Sequence, residues 1–213
     1  MSSSADFEGL ILTSPDAHPI PVTPARDGPD VSWLSRCRVG DNQGATGACA
    51  LFAFASWAEI MFGTPISDSA CLAAYEDACK RFGIPYVRGM QFSQAFQVAR
   101  DHGWLRDASG LTRVHDLSEL ANQPILAGMS VTAAWRPENL RDGVLDHDPN
   151  IRYVDGYHAV VIVANGVILS DLKGGRYIYI ENSWGLGWGH NGLGMMRADL
   201  FKRLCRELWI VTQ

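Results

Sequence analysis

The chain begins polar and interrupted. Residues 1–30 carry Pro15, Pro19, Pro21, Pro24 and Pro29, and only FEGLIL and HPIPV hold enough apolar residues for short strands. Proline removes a backbone donor and drives the residue before it out of the helical region, so an extended arm is expected. After a polar turn at 41–47 comes CALFAFASWAEIMF, with no breaker before Gly63. Apolar on nearly every face, it predicts a buried helix over 49–62. A second helix fits 67–82: Asp68 can cap it, Leu72, Tyr75 and Cys79 share a face, and Lys80 and Arg81 suit its last turn. A third fits 92–102 before Gly103, and a short fourth fits 116–122 before Pro124. From there the period shortens. ILAGMSVTAAW, HAVVIVANGVILSDL and RYIYIENSW read as strands, with Asn165 and Gly166, then Gly174 and Gly175, as hairpin turns. Helices first and strands later, without alternation, give an α+β class. There is no internal repeat.

Composition narrows the function. The 213 residues are 47% hydrophobic and 19% charged, ordinary values for a folded globular chain, and the net charge is −5. A nucleic-acid binder needs a basic face to replace counterions, and a polybasic membrane anchor needs one too, so neither partner is expected. The 49–62 stretch is too short to span a bilayer and contains Glu59. No Lys or Arg precedes Arg26, unlike the basic start of a secretory signal. The expectation is a cytoplasmic protein as made, with non-classical delivery to another cell left open. The five cysteines contain no Cys-x-x-Cys pair and the six histidines are scattered, so no metal or other cofactor is expected. Cys71 and Cys79, on one helix, would stand about 12 Å apart in rise, too far to bridge. The pattern suits a reducing compartment with one reactive thiol.

Cys49 is the candidate for that thiol. It stands where the Gly-containing turn becomes the buried helix, and unsatisfied N–H groups at a helix start stabilise a thiolate. A nucleophile needs a base, an orienter for that base, and donors for the developing oxyanion. His158 begins the strand HAVVIVA, Asn182 ends YIYIEN with an amide oxygen suited to an imidazole N–H, and Gln43 precedes Cys49 by six residues. Each alone also fits a bland role: a buried cysteine, a satisfied histidine, a turn asparagine.

Together they resemble the papain-type cysteine peptidases. DNQGATGACALFAFA is similar to the nucleophile region of that family, GYHAVVIVA to its histidine strand, and YIENSWGLGWGHNGLGMM to its asparagine–tryptophan segment. The order Gln, Cys, His, Asn is the family's, and the last segment keeps Asn182, Trp184, Gly185, Trp188, Gly189, Asn191 and Gly192 in register. The resemblance covers roughly residues 30–213. It implies a two-lobe fold, a helical lobe (40–125) packed on a β-barrel-like antiparallel lobe (126–205), with the cleft between and residues 1–30 as a separate arm before a 31–213 domain. It further implies Cys49 as nucleophile, His158 as acid/base, Asn182 as orienter, Gln43 as oxyanion donor, and Trp184 shielding the Asn182–His158 bond. A thiolate–imidazolium pair with a bell-shaped pH profile follows. For substrate it implies Gly89 pairing with an extended peptide and Met90, Gln91, Gly128, Gly156 and Ala159 lining the main side-chain pocket. That pocket is expected to take a bulky apolar group unless Met129 or Tyr157 fills it.

Departures from the family pattern are informative. Thr46 stands where oxidised members keep a disulfide cysteine, and Ala50 where an aromatic usually follows the nucleophile. Both fit the expectation of an unprocessed, disulfide-poor member without the family's long inhibitory propeptide, since only about 30 residues precede the matching region. The arm is expected to pack on the β lobe; lying in the cleft as a short inhibitory segment is the second reading. His102, His115, His147 and His190 lack spacing partners and read as surface or capping residues. The charged residues Arg136, Glu138, Arg141, Asp142, Asp146, Asp148 and Arg152 read as a solvated loop. The main functional expectation is a peptidase acting on a protein or peptide, with an inhibitor or immunity protein as the further partner of a delivered toxin. An amidase, deamidase, acyl transferase or isopeptidase would use the same residues, and a non-catalytic binding module would need none of them.

Overall fold

The computed structural model describes residues 7–8, 11, 32–140, 143–145, 153–166 and 176–213. HPIPV, the Gly174 turn, His147, Arg141, Asp142, Asp146, Asp148 and Arg152 lie outside the described residues.

Three helices come first, as the periodicity implies. Helix α1 (Cys49–Phe62) is buried at every position from Cys49 to Ile60 and stops at Gly63, whose φ of 74° few other residues adopt. Helix α2 (Asp68–Phe82) is capped by Ser67, not by Asp68: the Ser67 Oγ accepts from the Ala70 N–H at 3.2 Å, and Asp68 instead faces the Arg38 guanidinium. Helix α3 (Phe92–Asp101) starts with a reciprocal cap between Gln91 and Gln94. The expected fourth helix is only a 3-10 turn, Ser118–Ala121. So few residues before Pro124 cannot offset the cost of nucleating an α-helix.

The strands are β1 (Phe7–Glu8), β2 (Gly110–Val114), β3 (Ile125–Val131), β4 (Val144–Leu145), β5 (Gly156–Gly166), β6 (Tyr177–Glu181), β7 (Leu193–Arg197) and β8 (Cys205–Thr212), with helix α4 (Ala198–Leu204) running directly into β8. They form one sheet in the order β2-β8-β3-β5-β6-β7-β4, with β1 added on β5. The class is α+β as expected, but the sheet is open rather than barrel-like. It is also mixed, because β4 pairs with β7, and β1 with β5, in parallel. Asn165 and Gly166 do not turn: they extend β5 and pair with Ile178 and Tyr177. Strand β2 joins the sheet from within the stretch assigned to helices.

Two apolar layers sandwich the sheet. Ala159, Val161 and Val163 of β5 face α1, α2 and α3, whereas Met129, Val160 and Ile162 face Trp135, Trp188 and α4. The period-2 alternation of β5 thus sets His158 at the end of one layer beside the other. Helix α1 packs on β5, bringing its first residue to the start of that strand. No helix among the described residues is long and apolar enough to cross a membrane.

Candidate active site

Cys49 opens α1, and its sulfur accepts the backbone N–H of Ala159, the residue after His158. That bond fixes the thiol against β5, where the two lobes meet. The turn before it is held closely: a Cβ on Gly47 would overlap the Arg88 carbonyl and the Gly89 nitrogen. Only glycine lets the 88–89 backbone approach the turn at 47 so closely.

His158 is buried, and its Nε2 lies 2.6 Å from Asn182 Oδ1. The same Oδ1 accepts the Ser183 N–H at 2.8 Å, so two donors converge on it and define the amide orientation. His158 therefore carries its proton on Nε2, leaving Nδ1 as the basic nitrogen. Asn182 is itself fixed by its own N–H on Gly192 O at 2.9 Å. Trp184 lies over the imidazole, ring centroids 4.7 Å apart. Trp135 meets the same ring edge-on at 6.4 Å and stacks on Trp188 at 6.1 Å. Excluding water from both sides strengthens the His158–Asn182 bond.

Gln43 crosses between the lobes. Its N–H donates to Ser183 O at 2.9 Å, its Nε2 donates to Thr46 O at 2.7 Å, and its Oε1 accepts the Ser183 hydroxyl at 2.7 Å. With Oε1 held by Ser183, Nε2 must face the Cys49 turn and keeps one hydrogen for a substrate oxygen. Gly185 N–H on Asp41 O at 2.8 Å ties the same two segments.

The family-derived pocket residues are brought together in part. Gly128 pairs with Ala159 on the face that also carries Met90, while Met129 pairs with His158 on the opposite face. Met129 therefore does not fill that pocket; Tyr157, on the Ala159 face, is partly buried there. Gly156 falls on the Met129 face by alternation, and its backbone pairs with Phe7. Gln91 is spent on capping α3. Ser183 and Trp135 were not among the sequence candidates. Ser183 sits within the asparagine–tryptophan segment and was legible as its neighbour; Trp135 lies in a 3-10 turn, Ala133–Trp135, past the end of β3 rather than in the strand expected through ILAGMSVTAAW, and has no sequence signal beyond being a tryptophan.

Burial and hydrogen bonding act in opposite directions on the ionisation of the pair. Burial pushes the Cys49 thiol up to about 12, opposed by N–H groups of Ala159, Ala50 and Cys49 itself. Burial likewise pulls His158 down to about 4, opposed by Asn182. Both residues are 0% exposed, so lost hydration is the largest influence on each, and it opposes the charged forms that the N–H groups around the sulfur and Asn182 favour.

Behind the site lies a carboxylate cluster that joins the lobes. Arg38 reaches Glu59 of α1 at 2.9 Å, Asp41 at 3.4 Å and Asp68 of α2 at 3.9 Å. Glu181, next to Asn182, is buried beside Cys37, and burial with Asp41 nearby raises it to about 8. Asp41 is raised to about 6 for the same reason. A raised carboxyl stabilises the fold while protonated; that stability is complete below its unfolded value of 4.5 and is lost as pH rises through about 8. Glu181→Gln is therefore expected to raise Tm at pH 9 by roughly 5 °C and to leave it unchanged at pH 4, measured by scanning calorimetry. No group of three or more His, Cys, Asp or Glu among the described residues could hold a metal.

A two-lobed α+β fold that sets a cysteine at a helix start beside a histidine–asparagine pair defines the thiol-hydrolase class. Within it, residues 33–206 match the family model "Papain family cysteine protease", and the chain belongs to that family. It is 34% identical to papaya proteinase 4 from Carica papaya over 120 residues, 53% of this chain and 31% of that protein. The chain thus matches about a third of that relative's length. Among solved structures, xylellain, a cysteine protease from Xylella fastidiosa, superposes with a TM-score of 0.70 over 97% of this chain and 96% of that one, at 18% identity. Bromelain from Ananas comosus, bound to the E64 inhibitor, gives 0.62 over 86% and 98%, at 19% identity. These likenesses carry the fold.

Proposed function

We propose that the chain is a cysteine peptidase that hydrolyses peptide bonds through an acyl-thioester on Cys49. The observation that carries this is the convergence at one point of the Cys49 sulfur on Ala159 N–H and the His158 Nε2 on Asn182 Oδ1. His158 Nδ1 takes the thiol proton as sulfur attacks the carbonyl carbon, and later returns it to the leaving amine. Water, deprotonated by His158, then cleaves the thioester. Gln43 Nε2 and the Cys49 N–H hold the oxyanion. Asn182 keeps the imidazole in the tautomer that both steps require.

Gly89, Met90, Gly128 and Ala159 form the wall for an extended peptide, Gly156 and Trp184 flank the reacting bond, and Gln91 supports the loop. The Gly128–Ala159–Met90 face favours a bulky apolar or aromatic side chain on the residue just upstream of the cleaved one. A peptide library is expected to show preference for bulky apolar residues there, and preference for charged ones contradicts it.

Ser183 acts through Gln43. Ser183→Ala is expected to lower kcat about tenfold with KM little changed, because the amide loses the bond that aims it. Ser183→Thr, which keeps the hydroxyl, restores most of the loss. Steady-state kinetics on a fluorogenic peptide read both.

A further inference from the structure

The lobes are joined by a two-bond ladder. Asn42 bridges Trp184 in antiparallel fashion, with Gln43 N–H on Ser183 O at 2.9 Å and Gly185 N–H on Asp41 O at 2.8 Å. Two buried carboxyls flank this ladder: Asp41 opens one segment, and Glu181 immediately precedes Asn182 in the other. Glu181 pairs with Val161, so it stands on the face of the sheet that meets α1. It is 3% exposed, and neither of its oxygens meets a nitrogen or hydroxyl donor among the described residues. The groups that face it are the Cys37 thiol, Asp41, Glu59 of α1 and one cation, Arg38. That guanidinium is already shared by Glu59, Asp41 and Asp68, and the Cys71 thiol of α2 lies beside the same three carboxyls. Among the described residues, Glu181 is left without a counterion of its own.

We propose that Glu181 is a positioning residue, a proton-dependent latch: while its carboxyl is neutral the ladder stays closed and holds Asn182 and Gln43 in place, and its ionisation parts the two segments. The cause is repulsion across the joint. An ionised Glu181 adds negative charge opposite Asp41, Glu59 and Asp68, with only Arg38 to offset it, in a buried setting where repulsion is little screened. Opening the ladder hydrates Glu181 and lets its carboxyl return from about 8 to its ordinary value of 4.5. Opening therefore releases a proton between those values, and becomes up to about tenfold easier per pH unit until about pH 8. Asp41, raised to about 6, adds to this only below that pH. Burial pushes Cys37 and Cys71 up, so both stay thiols throughout. A displacement of about 1 Å at Asn182 or Gln43 is enough to slow a reaction severely.

The effect on turnover rests on the peptidase reading above; the latch itself does not. The test is amide hydrogen exchange, read by NMR on full-length wild type, Glu181→Gln and Glu181→Asp between about pH 6.5 and 8.5 and corrected for intrinsic exchange. In wild type the Gln43 and Gly185 amides are expected to exchange faster than the β3–β5 ladder, showing that the joint opens while the lobes stay folded. Their protection is expected to fall about tenfold over that range. Glu181→Gln removes this pH dependence and Glu181→Asp keeps it. Joint amides that exchange no faster than the β3–β5 ladder, or whose protection is flat with pH in wild type, overturn the proposal without reference to any variant. On a fluorogenic peptide, the fall in kcat over the same range is expected to be at least about threefold larger in wild type than in Glu181→Gln, with KM little changed. Equal kcat profiles in the two proteins overturn the positioning role. Amides that behave as expected in a protein that cleaves no peptide support the latch and contradict the peptidase reading instead.

Discussion

Cys49→Ala is expected to lower peptide turnover by about 10⁵-fold or more, with the fold intact. The size follows from the chemistry. Without the sulfur no acyl-enzyme forms, and the remaining oxyanion donors and binding wall act only on direct attack by water. The mutation adds little strain, since Ala50 and Ala53 already show that this part of α1 packs small side chains. Comparison of kcat/KM and of thermal midpoint in wild type and variant reads both. Turnover within tenfold of wild type would mean that another group carries the reaction.

Gln43→Ala is the second large effect. Loss of one oxyanion donor typically costs about 10²–10³-fold in kcat, and here the same change also breaks the bonds to Thr46 O and Ser183 Oγ. The prediction is a fall in kcat with KM near its wild-type value, because the carbonyl oxygen needs this donor most when it becomes tetrahedral. Gln43→Glu keeps the Ser183 bond but supplies no N–H, and is expected to be as slow. A variant that raises KM alone would place Gln43 in substrate binding only.

Much of this was legible because the information is local. The breaker-free run from Cys49 to Phe62 can only be a buried helix, and the Gln, Cys, His and Asn positions each lie in a short, ordered segment. What was not legible depends on partners distant in sequence. Asn165 and Gly166 carry a strong turn signal, yet β6 offers continued pairing and Gly166 accommodates it at φ 147°. CRELWIVT is a strand because β2 and β3 flank it on both sides, and no breaker separates it from α4. Asp68 lost the cap to Ser67 because Arg38, thirty residues earlier, pulls its carboxylate toward the interlobe cluster.

The ionisation of the site was the least legible feature, because a helix start beside a histidine favours a thiolate while burial by both walls, set by residues distant in sequence, opposes charge on Cys49 and His158. Sequence placed a proline-rich segment before the domain; only the register of Phe7 on Gly156, and of Ile11 on Met90, shows it meeting both lobes beside the nucleophile.

The central claim is that Cys49 forms a covalent acyl intermediate with His158 as its base. Intact-mass spectrometry after rapid mixing with an activated peptidyl ester tests it most directly, using wild type and His158→Ala. One acyl adduct is expected in wild type, mapped to Cys49, decaying as water cleaves the thioester, and absent in His158→Ala. No adduct on Cys49 in wild type, or an equal spread over Cys37 and Cys79, would contradict the account.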